Sequence, residues 1–300
     1  MITKEYRTKV QNALSRYREN YPSLSDAKFA KMINLSASVY SRLKNGETEK
    51  IASDSFWIEQ GRKLDVSVYE KDWNIARTTV YNEIEQNIEF CQEHKKATIL
   101  IDECGIGKTF CTKHIIKNRK NAYYIDCSQA KTKSQFIRYV AQKLGIDNTG
   151  KLYDVKENLK YYINLMEDPF IALDDAGYLD TNVLVEIIEI WNATENQCGW
   201  LMIGDDSLQN KFERGLRSRK VGFKALFSRF SDEFIHYVPM GKEDQTNFYK
   251  QLIGDVASVN LKDKSKINKM VKLCLKKNKT LRHLETLIHL EKNYATSING

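Results

Sequence analysis

The chain has no apolar run approaching the roughly 18 uninterrupted residues that a membrane span needs. Its first stretch, MITKEYRTKVQNAL, has no apolar leader core. Both absences argue against a membrane or secreted protein and set the expectation of a cytosolic one. The six cysteines, Cys91, Cys104, Cys111, Cys127, Cys198 and Cys274, contain no CxxC pair and no metal-ligand spacing. They therefore suggest neither a disulfide framework nor a zinc module, and are expected to be reduced and mostly buried. Internal repeats and low-complexity segments are also lacking, which leaves ordinary globular modules.

What is present is apolar content enough for at least one sizeable core, 42% of 300 residues, in a length that permits two or three modules. The net charge of +8 is not spread evenly. Nine basic residues crowd between Lys262 and Arg282 against Asp263, and an acidic region around Asp154 to Glu195 offsets basic residues elsewhere. Ile267, Met270, Val271 and Leu275 interrupt the basic cluster at helical spacing, so it reads as one face of a folded helix. Polyanions are its natural partners, nucleic acid ahead of a membrane surface.

The most informative stretch is Ala97 to Thr112, ATILIDECGIGKTFCT. An apolar strand leads into a turn bearing Gly105 and Gly107, then Lys108-Thr109 and a helical pattern. Backbone N–H groups of Cys104, Gly105, Ile106, Gly107, Lys108, Thr109 and Phe110 in such a turn can cradle phosphate oxygens at a helix N-terminus. Lys108 would reach the β/γ-phosphates and Thr109 would hold Mg²⁺. Asp102 stands where the GxxxxGK[ST] pattern has its first glycine, and an acid there either weakens phosphate binding or points away. Cys104 inside the turn is either a redox-sensitive thiol or a small residue at a variable position. Pro169 to Leu179, PFIALDDAGYL, is an apolar strand ending in two acids, the Walker B pattern. Its carboxyl end is where ligands bind in open α/β sheets. Asp174 would hold Mg²⁺, and Asp175 would polarise the attacking water.

These two motifs resemble the AAA+ ATPases. The resemblance implies ATP and Mg²⁺ as cofactors, and assigns further residues. Gly199 to Leu208, GWLMIGDDSL, matches the sensor strand, with Asp205 as the polar sensor. Leu226 to Phe230, LFSRF, matches the segment whose arginine reaches a neighbouring subunit's phosphate, making Arg229 the candidate, with Arg217 and Arg219 as competitors. Lys279 to Leu290, KTLRHLETLIHL, matches the lid helix with its sensor-2 arginine, here Arg282. Arg77, Thr78 and Thr79 are placed near the adenine.

Near the other end, Leu24 to Gly46 reads as a helix-turn-helix. Ser25 and Ser36 suit helix caps, and Asn34 suits a left-handed turn. Phe29, Ala30, Ile33, Leu35, Val39 and Leu43 fall at packing positions. That leaves Ser36, Ser38, Tyr40, Ser41, Arg42 and Lys44 exposed for DNA contacts.

The expected organisation is a helix-turn-helix DNA-binding domain over 1–68 and a connection at Val68 to Asn74. An AAA+ P-loop NTPase core with a parallel α/β sheet follows over 69–240, then a basic helical lid over 241–300. Strands are expected at Thr98–Ile101, Ala122–Asp126, the Walker B run, the sensor run and Glu233–Val238.

This domain order resembles the MuB-type transposition ATPases of transposable phages. The likeness implies an ATP-dependent, largely sequence-independent binder of double-stranded DNA in the bacterial host cytoplasm. It would self-associate as a helical filament or ring, capture target DNA and deliver it to a DDE-type transposase. Lys131, Thr132 and Lys133 would line the DNA path. The alternatives are a helicase loader or replication-associated AAA+ ATPase, and a nucleotide-sensing helix-turn-helix transcription regulator.

Overall fold

Serines at 25, 36 and 53 each precede a helical run, and each accepts a backbone N–H three residues on, from Lys28, Val39 and Phe56 at 3.3 Å. Such caps satisfy donors that a helix start leaves without partners. In the computed structural model, residues 2–19, 21–22, 24–64, 66–67, 73–276 and 280–298 are described, with backbone alone over 293–298. The connection expected at Val68–Asn74 lies outside them as far as Asp72, as do Lys277 and Lys279 of the basic segment. The chain divides into two compact units, Met1–Asp72 and Trp73–Gly300.

The N-terminal unit contains α1 (Lys4–Glu19), α2 (Asp26–Met32), α3 (Ala37–Lys44) and α4 (Asp54–Lys63). Asn34 turns the chain between α2 and α3 at φ 61°, and the Leu35 N–H closes the turn on Ala30 O at 2.8 Å. Phe29, Ile33, Leu43 and Trp57 are buried in its core. A Cβ on Gly61 would lie 1.8 Å from the Tyr6 hydroxyl, so α1 and α4 cross where only glycine fits. One expectation is overturned here. Tyr40 is not on the exposed face of α3 but 5% exposed, its ring 5.3 Å from that of Phe29. The buried face is set by Tyr40 and Leu43, which leaves Leu35 and Val39 only half-buried.

In the second unit, β1 (Ala97–Ile101), β2 (Ala122–Asp126), β3 (Phe170–Asp174), β4 (Gly199–Gly204) and β5 (Phe234–Ile235) form one parallel sheet in the order β2-β3-β4-β1-β5. Every residue of β1, β3 and β4 is buried. Continuous apolar runs are what strands covered on both faces require. Alternate residues supply the two faces. Leu100, Ala172, Leu201 and Ile203 pack with α5 (Thr79–His94) and α6 (Lys108–Lys117). Ile99, Ile125, Leu173 and Met202 face the opposite core. That core is closed by α7 (Lys133–Leu144), α8 (Leu152–Leu165), α9 (Thr181–Ala193), α10 (Asp206–Arg217) and α11 (Phe223–Arg229).

The last strand is shorter than the expected Glu233–Val238. It ends at Ile235 because the N–H groups of Tyr237 and Val238 bond to the Asp102 carboxylate and leave the ladder. α12 (Lys242–Asn260), α13 (Ile267–Lys276) and α14 (Leu281–Ile298) follow around their own apolar cluster of Ile253, Val256, Met270, Cys274, Leu284 and Ile288. They belong to the same compact unit as the sheet. Among the described residues no helix is long and apolar enough to cross a membrane.

Candidate nucleotide site

Parallel strands all end on one edge of the sheet, and that edge gathers the chemistry. β1 runs into the turn 102–107, which enters α6 through Gly105 at φ 83° and Gly107 at φ 103°. Both angles lie where side chains are strained. A Cβ on Gly105 would also lie 2.4 Å from Thr280 Cβ. Thr109 and Phe110 at the start of α6 are exposed, whereas Ile106 is buried and turned into the cluster between sheet and α5. Only the backbone of Ile106 remains to face a ligand. The Lys108 ammonium is buried and donates to Asp102 O at 2.6 Å and Glu103 O at 2.8 Å. Burial pushes its pKa down, against Asp102 and the other acids nearby.

Asp102 points away from the turn it opens. Its Oδ1 accepts from Glu103 N at 2.9 Å, and Oδ2 accepts from Tyr237 N at 2.6 Å and Val238 N at 3.0 Å. The exposed Cys104 thiol donates to Asp205 Oδ2 at 3.5 Å. Its pKa is raised, first by partial burial and then by Asp205, so the environment disfavours a thiolate.

Asp174 closes β3, buried, with Oδ2 accepting from the Tyr124 hydroxyl at 2.6 Å and Oδ1 from Asp175 N at 3.0 Å. Tyr124 sits on β2 with the Lys113 ammonium 4.8 Å from its ring centre, and no motif announces it. Asp175 is exposed in the left-handed region at φ 54°. Partial burial, then Asp174, Asp126 and Asp205, push its carboxyl above the usual range. Asp205 follows β4 and caps α10 through Ser207 N at 2.9 Å; the Ser207 hydroxyl holds its pKa low. Arg282 is exposed in the first turn of α14, whose Leu281 N donates to Gly105 O at 3.0 Å.

Other expected site residues have partners of their own. Thr78 is buried and caps α5 through Tyr81 N at 3.1 Å. Arg77 bonds Glu85 at 2.7 Å and lies over the Tyr81 ring. The Arg229 guanidinium donates to Asn192 Oδ1 at 2.7 Å and Ala225 O at 2.8 Å and covers Trp191. Lys131 is exposed over the Tyr178 ring, and Thr132 caps α7 in a capping box with Gln135. Lys133 is ion-paired with the buried Glu186 and so is not a free cation. In the N-terminal unit, Ser36 and Ser38 are exposed and mutually bonded at 3.0 Å. Arg42 pairs with Glu47 at 2.7 Å, and Lys44 with Asp26 at 2.9 Å.

Residues 91–212 match the AAA domain family. No curated protein matches the chain in sequence. Among solved structures, the Aeropyrum pernix Orc1 protein in complex with DNA is similar over 75% of this chain, at 12% identity and a TM-score of 0.54. The likeness spans 61% of that protein's length and shows the fold alone. Two others are more distant. The P-loop NTPase domain of an Escherichia coli sigma-54 transport activator is 15% identical, with a TM-score of 0.30, over 56% of this chain and 100% of its own. Hsp104 with ATPγS and casein is 12% identical, with a TM-score of 0.42, over 96% of this chain and 60% of its own. The stretch that matches the AAA domain family runs from the end of α5 into α10 and takes in the glycine turn after β1, the β3 acids and Asp205.

Proposed function

We propose that the chain hydrolyses ATP and binds double-stranded DNA in an ATP-dependent, largely sequence-independent way. It self-associates on DNA as a ring or filament and delivers target DNA to a DDE-type transposase. The observation that carries the ATPase part is the meeting, on one sheet edge, of the glycine turn of β1 and the acid pair of β3. The residues fit a nucleotide with its cation. Gly105 and Gly107 keep the turn's backbone free of side chains, Thr109 is exposed at the head of α6, and Asp174 is fixed by Tyr124 and the Asp175 amide. Mg²⁺ held at Thr109 and Asp174 would draw negative charge from the phosphate oxygens.

Lys108 adds a point charge after leaving the carbonyls of Asp102 and Glu103. Asp175, exposed and with a raised pKa, is suited to take a proton from the attacking water. Arg282 stands beside the turn to sense its state, and Arg229 is offered to a neighbouring subunit. Head-to-tail packing of unlike surfaces gives a ring or an open helix.

The DNA part is supported by exposed Lys269, Lys272 and Lys276 on α13 and by Lys131 beside the exposed Tyr178. The short polar side chains of Ser36 and Ser38 also suit the contacts a recognition helix makes. The Orc1 structure of similar fold holds DNA. Arg42 and Lys44 sit in surface ion pairs, which are weak enough for phosphates to replace. The regulator reading rests on Asp102 spoiling the turn, and the orientation of Asp102 weighs against it.

The test is ATP turnover by the whole chain with and without duplex DNA of arbitrary sequence. Turnover raised by DNA and abolished in Lys108→Ala is expected. Turnover unchanged in Lys108→Ala would remove the site assignment.

A further inference from the structure

The carboxylate at the mouth of the phosphate loop has a partner that local sequence does not reveal. Asp102 is only 5% exposed, and three backbone N–H groups compensate the burial of its charge. Two of them, on Tyr237 and Val238, belong to the stretch that leaves β5 and leads into α12. The next residues of the loop hold the same helical segment. The Tyr249 hydroxyl on α12 donates to the Glu103 carboxylate, and Leu281 N at the start of α14 donates to Gly105 O at 3.0 Å. The Lys108 ammonium rests on the carbonyls of Asp102 and Glu103, so the residues that carry these ties also hold the lysine.

We propose that Asp102 is a positioning residue for nucleotide binding. By clamping the Tyr237 and Val238 amides, its carboxylate fixes the mouth of the phosphate loop against the α12–α14 segment and thereby places Lys108. The proposal rests on the reading of this loop as a nucleotide site. Glycine at this position would leave three amides, those of Glu103, Tyr237 and Val238, without their acceptor and the first residue of the loop without an anchor. A carboxylate facing the phosphates would repel them, but this one is turned to backbone donors and its charge is compensated there.

The test uses the full chain with Asp102→Gly and Asp102→Asn. Three quantities are read: equilibrium binding of a fluorescent ATP analogue, steady-state hydrolysis, and hydrogen exchange of the Tyr237 and Val238 amides without nucleotide. In Asp102→Gly both amides should exchange faster, and analogue Kd and KM should rise about five- to tenfold, the net worth of one ordinary hydrogen bond, because the clamp acts on the phosphates only through Lys108. The kcat should fall by less than KM rises, because Lys108 is displaced but not removed. Asp102→Asn keeps one acceptor oxygen and should fall between. If Asp102→Gly does not fold, Asp102→Asn decides on the same readouts.

A purely structural role gives the opposite split, with kcat falling alongside the folded fraction and KM unchanged, and that result overturns the proposal. Unchanged or tighter analogue binding in Asp102→Gly overturns it too. The failure of the underlying reading looks different: the wild-type chain then binds no analogue, and both readings fall together.

Discussion

Lys108 lies buried with its ammonium on two carbonyls of its own loop, so a bound phosphate must outcompete those oxygens. Lys108→Ala should therefore weaken binding of an ATP analogue at least tenfold, as expected for a lost charge-assisted contact of about 1.5–3 kcal/mol. Equilibrium titration checks this. Asp175→Asn should bind the analogue normally but hydrolyse ATP about 10²–10⁴-fold more slowly, the range for removal of a general base. Partial burial and three neighbouring acids raise the Asp175 pKa, and the base works ionised, so protonation at low pH removes it. The wild-type kcat should rise with pH through a value above the ordinary carboxylate range and then level off. In Asp175→Asn that rise should vanish, and its persistence would assign the base elsewhere. Lys108, Thr109, Asp174 and Asp175 were readable in sequence as candidates, because phosphate chemistry favours their types at close spacing. Asp102 was not, since its amide partners stand 135 and 136 residues away. Tyr124 reaches Asp174 only because parallel pairing sets β2 beside β3.

The central strands were legible because burial on both faces demands unbroken apolar runs, as in Ala97–Ile101 and Phe170–Leu173. Edge and register were harder. β5 pairs for two residues because a side chain captures the amides that would extend it, and hydropathy carries no sign of that. On α3 a one-residue rotation of the buried face decides whether Tyr40 is core or surface, and an amphipathic tyrosine suits either. Tyr40→Ala should therefore destabilise the N-terminal unit by about 3–5 kcal/mol, as large aromatic truncations in cores do. Ser38→Ala should stay within about 0.5 kcal/mol. Urea unfolding of the N-terminal unit distinguishes them, and equal effects would return Tyr40 to the surface. At the end of α11, Arg229 binds Asn192, Ala225 and Trp191 within its own chain, so Arg229→Ala should cost about 1–2 kcal/mol of stability even without assembly. An in-trans role adds a second expectation. Mixing Arg229→Ala with Asp175→Asn subunits should recover some hydrolysis at mixed interfaces. No recovery from subunits that do co-assemble would confine Arg229 to its structural role.

For the whole molecule, the division after Asp72 defines the cut that separates the N-terminal helices from the unit that holds the sheet. Residues 73–300 should keep ATP-dependent binding to arbitrary duplexes, leaving the first unit as an auxiliary grip or docking module. Phosphate neutralisation releases counterions, so log affinity should fall with log salt at about −0.9 per phosphate contact. Lys131→Ala should make that slope shallower by about one contact without changing sequence preference. Lys133 is a poor probe for the same purpose, because its removal also breaks an ion pair with the buried Glu186, which Lys156 shares. The most direct measurement of the central claim is binding of the full chain to several unrelated fluorescent duplexes at fixed salt, titrated with a non-hydrolysable ATP analogue. The account predicts that affinity for every duplex rises together as the analogue saturates, and that Lys108→Ala abolishes the rise. Affinity indifferent to the analogue, or confined to one duplex, would contradict it.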